Sequence, residues 1–72
     1  MNQVQDWELQ TPSGEVIYNN FYQRNVLKKI NQIEGDNFVM IGKDFQGNPV
    51  EIYDLLVKKR GKPLQFELKR RA

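Results

Sequence analysis

Val50-Glu51-Ile52-Tyr53-Asp54-Leu55-Leu56-Val57-Lys58-Lys59-Arg60 decides how this chain folds, because two periods fit it. Read as a strand, Val50, Ile52 and Leu56 line one face and pair with the apolar run at 38–43. Read as a helix, Ile52, Tyr53, Leu56 and Val57 form one stripe, and Asp54 and Lys58 make a favourable i,i+4 pair. Lys58-Lys59-Arg60 then sits at a helix C-terminus, with Gly61 at the cap. The balance of these signals predicts a short strand at 49–52 turning into a short helix at about 53–60. An unbroken strand is the competing reading.

Downstream, Lys62-Pro63 restarts the chain. Leu64, Phe66 and Leu68 then alternate with Gln65, Glu67 and Lys69, which predicts a half-buried final strand. Upstream, Phe38-Val39-Met40-Ile41-Gly42-Lys43 reads as a strand, and Asp44-Phe45-Gln46-Gly47-Asn48-Pro49 reads as a reversal. Gly42 inside a strand pattern marks a bulge or a close approach. Phe21, Tyr22, Val26, Leu27, Ile30 and Ile33 recur at three- and four-residue steps, predicting an amphipathic helix over about 20–33. Asn19 and Asn20 are its candidate caps, and Lys28 and Lys29 suit its C-terminal end. Before it, Thr11-Pro12-Ser13-Gly14 is turn chemistry between two β-patterned runs, a hairpin over about 6–18. The two Gly-bearing turns, at 10–18 and 43–53, echo one another in composition.

Gly47-Asn48-Pro49-Val50, Asp54-Leu55-Leu56 and Gly61-Lys62-Pro63-Leu64-Gln65-Phe66-Glu67-Leu68-Lys69-Arg70 resemble the closing half of a PDZ domain. There a turn leads to a short strand, a helix opening with Asp-Leu, and a final alternating strand. The resemblance covers about a third of the chain and implies the 53–60 helix. The first half of the chain lacks the glycine-bearing carboxylate-binding loop of that family, so peptide binding is not carried over.

The expected fold class is therefore α+β: a small antiparallel or mixed sheet built from hairpin, helix, strand, short strand with short helix, and strand. The amphipathic helix packs on one face. The expected core is Trp7, Leu9, Val16, Tyr18, Tyr22, Val26, Leu27, Ile30, Ile33, Val39, Ile41, Ile52, Leu56, Leu64, Phe66 and Leu68. Residues 1–72 form one small domain, with a basic C-terminus at 69–72 expected to fray. A chain of this size buries only about 60% of its unfolded surface. Its core supplies about 3–5 kcal/mol.

The charge is strongly asymmetric. Residues 58–72 carry seven cations against one anion, Glu67, whereas residues 1–57 carry four cations against eight carboxylates. Lys58, Lys59, Arg60, Lys62, Lys69, Arg70 and Arg71 are thus the candidate contacts for nucleic acid or another polyanion. If the last strand runs antiparallel to its predecessor, these cations divide into two patches. Phe45 and Phe21 are the candidate exposed aromatic contacts, although neither adjoins the basic segment. The carboxylates Glu34, Asp36 and Asp44 could approach one another if their turns share one pole.

What is missing narrows the chemistry. The chain has no histidine and no cysteine, so the usual neutral-pH acid/base, the thiolate nucleophile and the common soft metal ligands are absent. Thr11 and Ser13 stand in a turn without a base beside them. No enzyme activity, cofactor or metal site is expected. No apolar run approaches a membrane span and no signal segment is evident, so the expected setting is cytoplasmic. The expected function is a small non-enzymatic binding or regulatory module that touches a nucleic acid backbone through the basic segment. The alternative is a protein–protein adaptor, inhibitor or complex subunit that uses the charge asymmetry and an edge strand, with an acidic protein surface or a second copy as partner.

Overall fold

A computed structural model describes residues 3–58 and 65–71. It contains β1 (Asp6–Gln10), β2 (Val16–Asn20), α1 (Gln23–Lys29) continued by a 3-10 turn (Ile30–Gln32), β3 (Asn37–Lys43), β4 (Pro49–Lys58) and β5 (Gln65–Arg70). The strands form one sheet in the order β2-β1-β3-β4-β5, and every neighbouring pair is antiparallel. The class is α+β, with the sheet dominant. No helix among the described residues is long and apolar enough to cross a membrane.

The expected helix at 53–60 is replaced by strand: β4 runs unbroken through Lys58. The competing reading of that stretch holds, and the helix implied by the PDZ resemblance is absent as far as Lys58. The reason is pairing on both sides. Asn37 to Lys43 occupy one edge of β4 and Gln65 to Arg70 occupy the other. A helix there would leave both neighbouring strands without backbone partners, a cost that local propensity does not offset. Asp54 and Lys58 consequently stand about 13 Å apart along one face of the strand and pair with Arg71 and Glu67 instead. Gly61 and Leu64, expected as a cap and a core residue, lie outside the described residues.

The register shows which face is buried. Leu9 opposes Met40 and Tyr18, Met40 opposes Tyr53, and Phe38 opposes Leu55. Leu9, Phe38, Met40, Leu55 and Val57 are buried together with Val26 of α1 and Ile30 of the 3-10 turn. Trp7, Ile17, Tyr18, Leu27, Ile33, Tyr53 and Phe66 pack around them. The expected core face of β3 and β4 is thus inverted. Val39, Ile41, Ile52 and Leu56 lie on the opposite, open face, while Phe38, Met40, Leu55 and Val57 are inside. Both parities of these strands are apolar, so alternation alone does not choose between them. Val16 and Tyr22, also expected inside, are exposed.

The helix is shorter than the 20–33 expected, and its N-cap residue Tyr22 makes no side-chain cap hydrogen bond. Asn20 still organises the entry: its Oδ1 accepts from the Tyr22 N–H at 3.0 Å and from Asn25 Nδ2 at 3.1 Å. Lys28 and Lys29 do occupy the last turn of α1.

The echo between the two turns has a physical basis. Gly14 N–H donates to Thr11 O (2.9 Å) and Thr11 N–H to Glu15 O (2.9 Å). Gly47 N–H donates to Asp44 O (3.0 Å) and Asp44 N–H to Asn48 O (3.0 Å). Both glycines have positive φ, +96° and +85°. Each hairpin is therefore closed by the same turn followed by a left-handed glycine, a geometry that matches strand twist. Gly42 is both things its pattern suggested. The register shifts between Gly42 and Lys43, and a Cβ on Gly42 would lie 2.8 Å from a Val4 methyl and 3.1 Å from the Trp7 ring.

The inverted face makes a direct test. Leu55→Ala should cost about 2–5 kcal/mol of unfolding free energy in urea titrations. Leu56→Ala, one residue on and half out in solvent, should cost about 1 kcal/mol or less. The reverse order would restore the helical reading of 53–60.

Candidate interaction surface

Strand alternation distributes the basic segment over both faces and both ends of the β4–β5 ladder. Lys58 opposes Gln65 at one end, and Arg70 opposes Tyr53 at the other. Five residues of strand separate the two ends, about 17 Å. The described cations therefore fall into two groups. Lys58, Lys69 and Arg71 belong to the open face, and Arg70 to the face that carries Tyr53 and Leu68. Lys59, Arg60 and Lys62 lie outside the described residues. Lys69 and Arg70 are in β5, and Arg71 N–H donates to Ile52 O at 2.7 Å.

Anions are interleaved with these cations. Lys58 Nζ lies 3.2 Å from Glu67 Oε2. The Arg71 guanidinium grips the Asp54 carboxylate through Nη2 and Nε. That contact, and then the Asp54 charge, hold the Arg71 proton more firmly still. Both pairs are exposed, so they shape the surface more than they stabilise it. Along the open face of β4 and β5 the carboxylates of Glu67 and Asp54 are set among the cations Lys58, Lys69 and Arg71.

Between these charges the open face is apolar. Val39, Ile41 and Ile52 are half-buried and Leu56 is exposed. A hollow of about 450 Å³ opens here beside Pro12, Asn37, Leu56, Glu67 and Lys69. On the other side of the strip, Lys43 Nζ contacts Glu8 Oε1 at 3.1 Å and Gln10 Nε2 donates to Glu8 Oε2 at 2.6 Å. Burial pushes the Glu8 carboxyl up, but the Gln10 and Lys43 hydrogen bonds and the Lys43 charge together outweigh it. Its pKa settles below the ordinary carboxylate range. On the helix-bearing face, Tyr53 donates to Glu51, and this bond, aided by burial, raises the phenol's pKa.

The two aromatics singled out in the sequence are both exposed, Phe45 at 83% and Phe21 at 76%. They line one hollow with Gln5, Asn19 and Lys43 at the end of the sheet where β2 and β3 finish. The carboxylates Glu34, Asp36 and Asp44 do not converge. Asp36 precedes β3 and Asp44 follows it, so a seven-residue strand separates them. Among the described residues no cluster of ligating side chains suits a metal ion.

Leu68 is a further residue expected in the core that lies at the surface. Its alternation with Phe66 placed it in the core, yet it is 41% exposed. A seven-residue helix is only about 10 Å long. It packs on β1 and β2 and does not reach β5. The signal available was the charge content of the last strand, which suits an edge.

No family model matches this chain, and no curated protein or solved structure matches it.

Glu8 yields a prediction with a defined sign. Its lowered pKa stabilises the fold above the ordinary carboxylate range, and that contribution is lost as pH falls through the folded-state value. Lys43→Met should cost about 1–2 kcal/mol at neutral pH. The gap between wild type and variant should narrow in acid as Glu8 protonates. Urea melts at neutral and acid pH check this, and a gap independent of pH would refute the pairing.

Proposed function

We propose that this protein is a non-enzymatic protein-interaction module, an adaptor or complex subunit, that takes up an extended segment along the β5 edge. The observation that carries this reading is the regularity of that edge. The β4–β5 ladder runs six residue pairs without a register shift. Only β4 pairs with β5 among the described residues. A straight strand edge is a template for one more strand: main-chain hydrogen bonds supply affinity and alternate side chains supply selectivity. Exposed Leu68 offers an apolar contact there, and the carboxylates set among the cations favour a partner of mixed charge over a uniform polyanion. The absence of histidine and cysteine supports a binding role.

A second reading has one observation behind it, the seven cations against one anion in residues 58–72. In it, Lys58, Lys59, Arg60, Lys62, Lys69, Arg70 and Arg71 contact a nucleic acid backbone without reading sequence. Four or five phosphate contacts would give a log–log salt slope of roughly −4.

Two assays separate the readings. Selection of displayed random nine-residue peptides should enrich sequences of period two, and their binding should survive raised salt. Leu68→Pro, which removes an outward N–H, should weaken it at least tenfold. Salt titration against labelled single- and double-stranded DNA and RNA should show no saturable binding at physiological salt. Absence of peptide enrichment overturns the strand-adding reading, and micromolar nucleic acid binding with the steep slope establishes the second.

A further inference from the structure

We infer that the segment taken up at this edge is β5 of a second copy, paired antiparallel in the register that sets Leu68 opposite Leu68. The inference rests on the strand-adding reading and names its partner.

The backbone comes first. Arg71 N–H donates to Ile52 O. Alternation along the ladder then turns residues 65, 67, 69 and 71 toward β4, and turns the N–H and C=O of Phe66 and Leu68 outward. The opposite edge, β2, is different. Its ladder with β1 shifts register between Leu9 and Gln10, and such a bulge blunts an edge.

The side chains choose the register. Two copies related by a two-fold axis normal to the sheet keep their faces aligned, so the axis must pass through a residue. An axis at Glu67 sets two carboxylates face to face, and an axis at Lys69 sets two ammonium groups face to face. Like charges directly opposite repel. An axis at Leu68 instead places Glu67 opposite Lys69 of the second copy, twice over. It sets Gln65 opposite Arg71. Leu68 and its symmetry mate would exchange both main-chain hydrogen bonds, while each Glu67–Lys69 rung is the closer, non-hydrogen-bonded kind. The exposed Leu68 side chains then meet on the face that carries Leu55 of each copy.

Charges on an edge strand commonly keep copies apart. Here Glu67 and Lys69 have opposite sign and straddle one leucine, so the same charges draw two copies together in one register and oppose its neighbours. Glu67 retains its contact with Lys58, because its second oxygen remains open to a further donor.

The test is sedimentation velocity with the whole chain over about a hundred-fold range of concentration, since mass action governs the dimer. Wild type should pass from 8.5 kDa toward twice that mass. Glu67→Lys and Lys69→Glu should each weaken self-association about tenfold or more, because each converts two attractions into two repulsions. An equimolar mixture of the two variants should associate as a heterodimer, because both 67–69 rungs then pair opposite charges. That rescue cannot arise from loss of folding, and circular dichroism of each variant checks its fold. A wild-type chain monomeric throughout, or a mixture no tighter than its parts, overturns the inference. Peptide enrichment by such a monomeric chain leaves the strand-adding reading standing, whereas dimerisation indifferent to Leu68→Pro overturns both.

Discussion

β3 is hydrogen-bonded on both sides, to β1 and to β4, and this double pairing places every other element. Its inward residues Phe38 and Met40 are the centre of the buried cluster, with Leu9 delivered from one side and Leu55 from the other. The register that brings Trp7 opposite Gly42 also requires a residue without a side chain there, because Val4 and the indole occupy that space. The two hairpins are joined through β1 and β3, so the segment between them, α1 and its 3-10 extension, must return across the sheet. In doing so it adds Val26 and Ile30 to the core. The cluster is small, as expected for 72 residues without a disulfide, and its stability depends on keeping these few side chains together.

A short helix on a five-stranded sheet leaves an unequal surface. One face of β1 and β2 is covered by α1, while β5 presents its edge with exposed Leu68, and the opposite face of β4 presents Leu56. That is where the described cations of the basic segment lie. Packing separates Lys58, Lys69, Arg70 and Arg71 by strand length and by face, and Glu67 and Asp54 come to sit among them. A net charge concentrated in sequence becomes, on the described surface, a mixture of cations and carboxylates. Such a mixture suits a partner with charges of both signs, and it underlies the proposal of a strand over a phosphate chain.

Much of the local structure was legible. The Thr11–Gly14 and Asp44–Gly47 turns, the apolar period of residues 23–33 and the alternation of the last strand all reflect interactions within a few residues. Phe45 was legible as exposed because it stands in a turn outside any apolar period, and Phe21 because it stands at the very start of one. Residues 53–58 were not, because Ile52, Tyr53, Leu56 and Val57 satisfy a helix stripe and a strand at once. The buried face of β3 and β4 was equally hidden, since Val39 and Ile41 are as apolar as Phe38 and Met40. Only the neighbours across the sheet, Leu9 on one side and α1 above, distinguish them.

The sequence by itself determined where the chain turns, which segments are amphipathic, and that the chemistry of histidine and cysteine is absent. These follow from residue types and spacings of a few positions, where backbone sterics and side-chain period act alone. Tertiary structure decided the conformation of 53–58, the face of β3 and β4 that is buried, and the exposure of Leu68 on an edge. Those depend on hydrogen-bond partners and apolar surfaces supplied from distant parts of the chain. A strand is committed only when its neighbours exist, and an edge is defined only by the order of strands across the sheet.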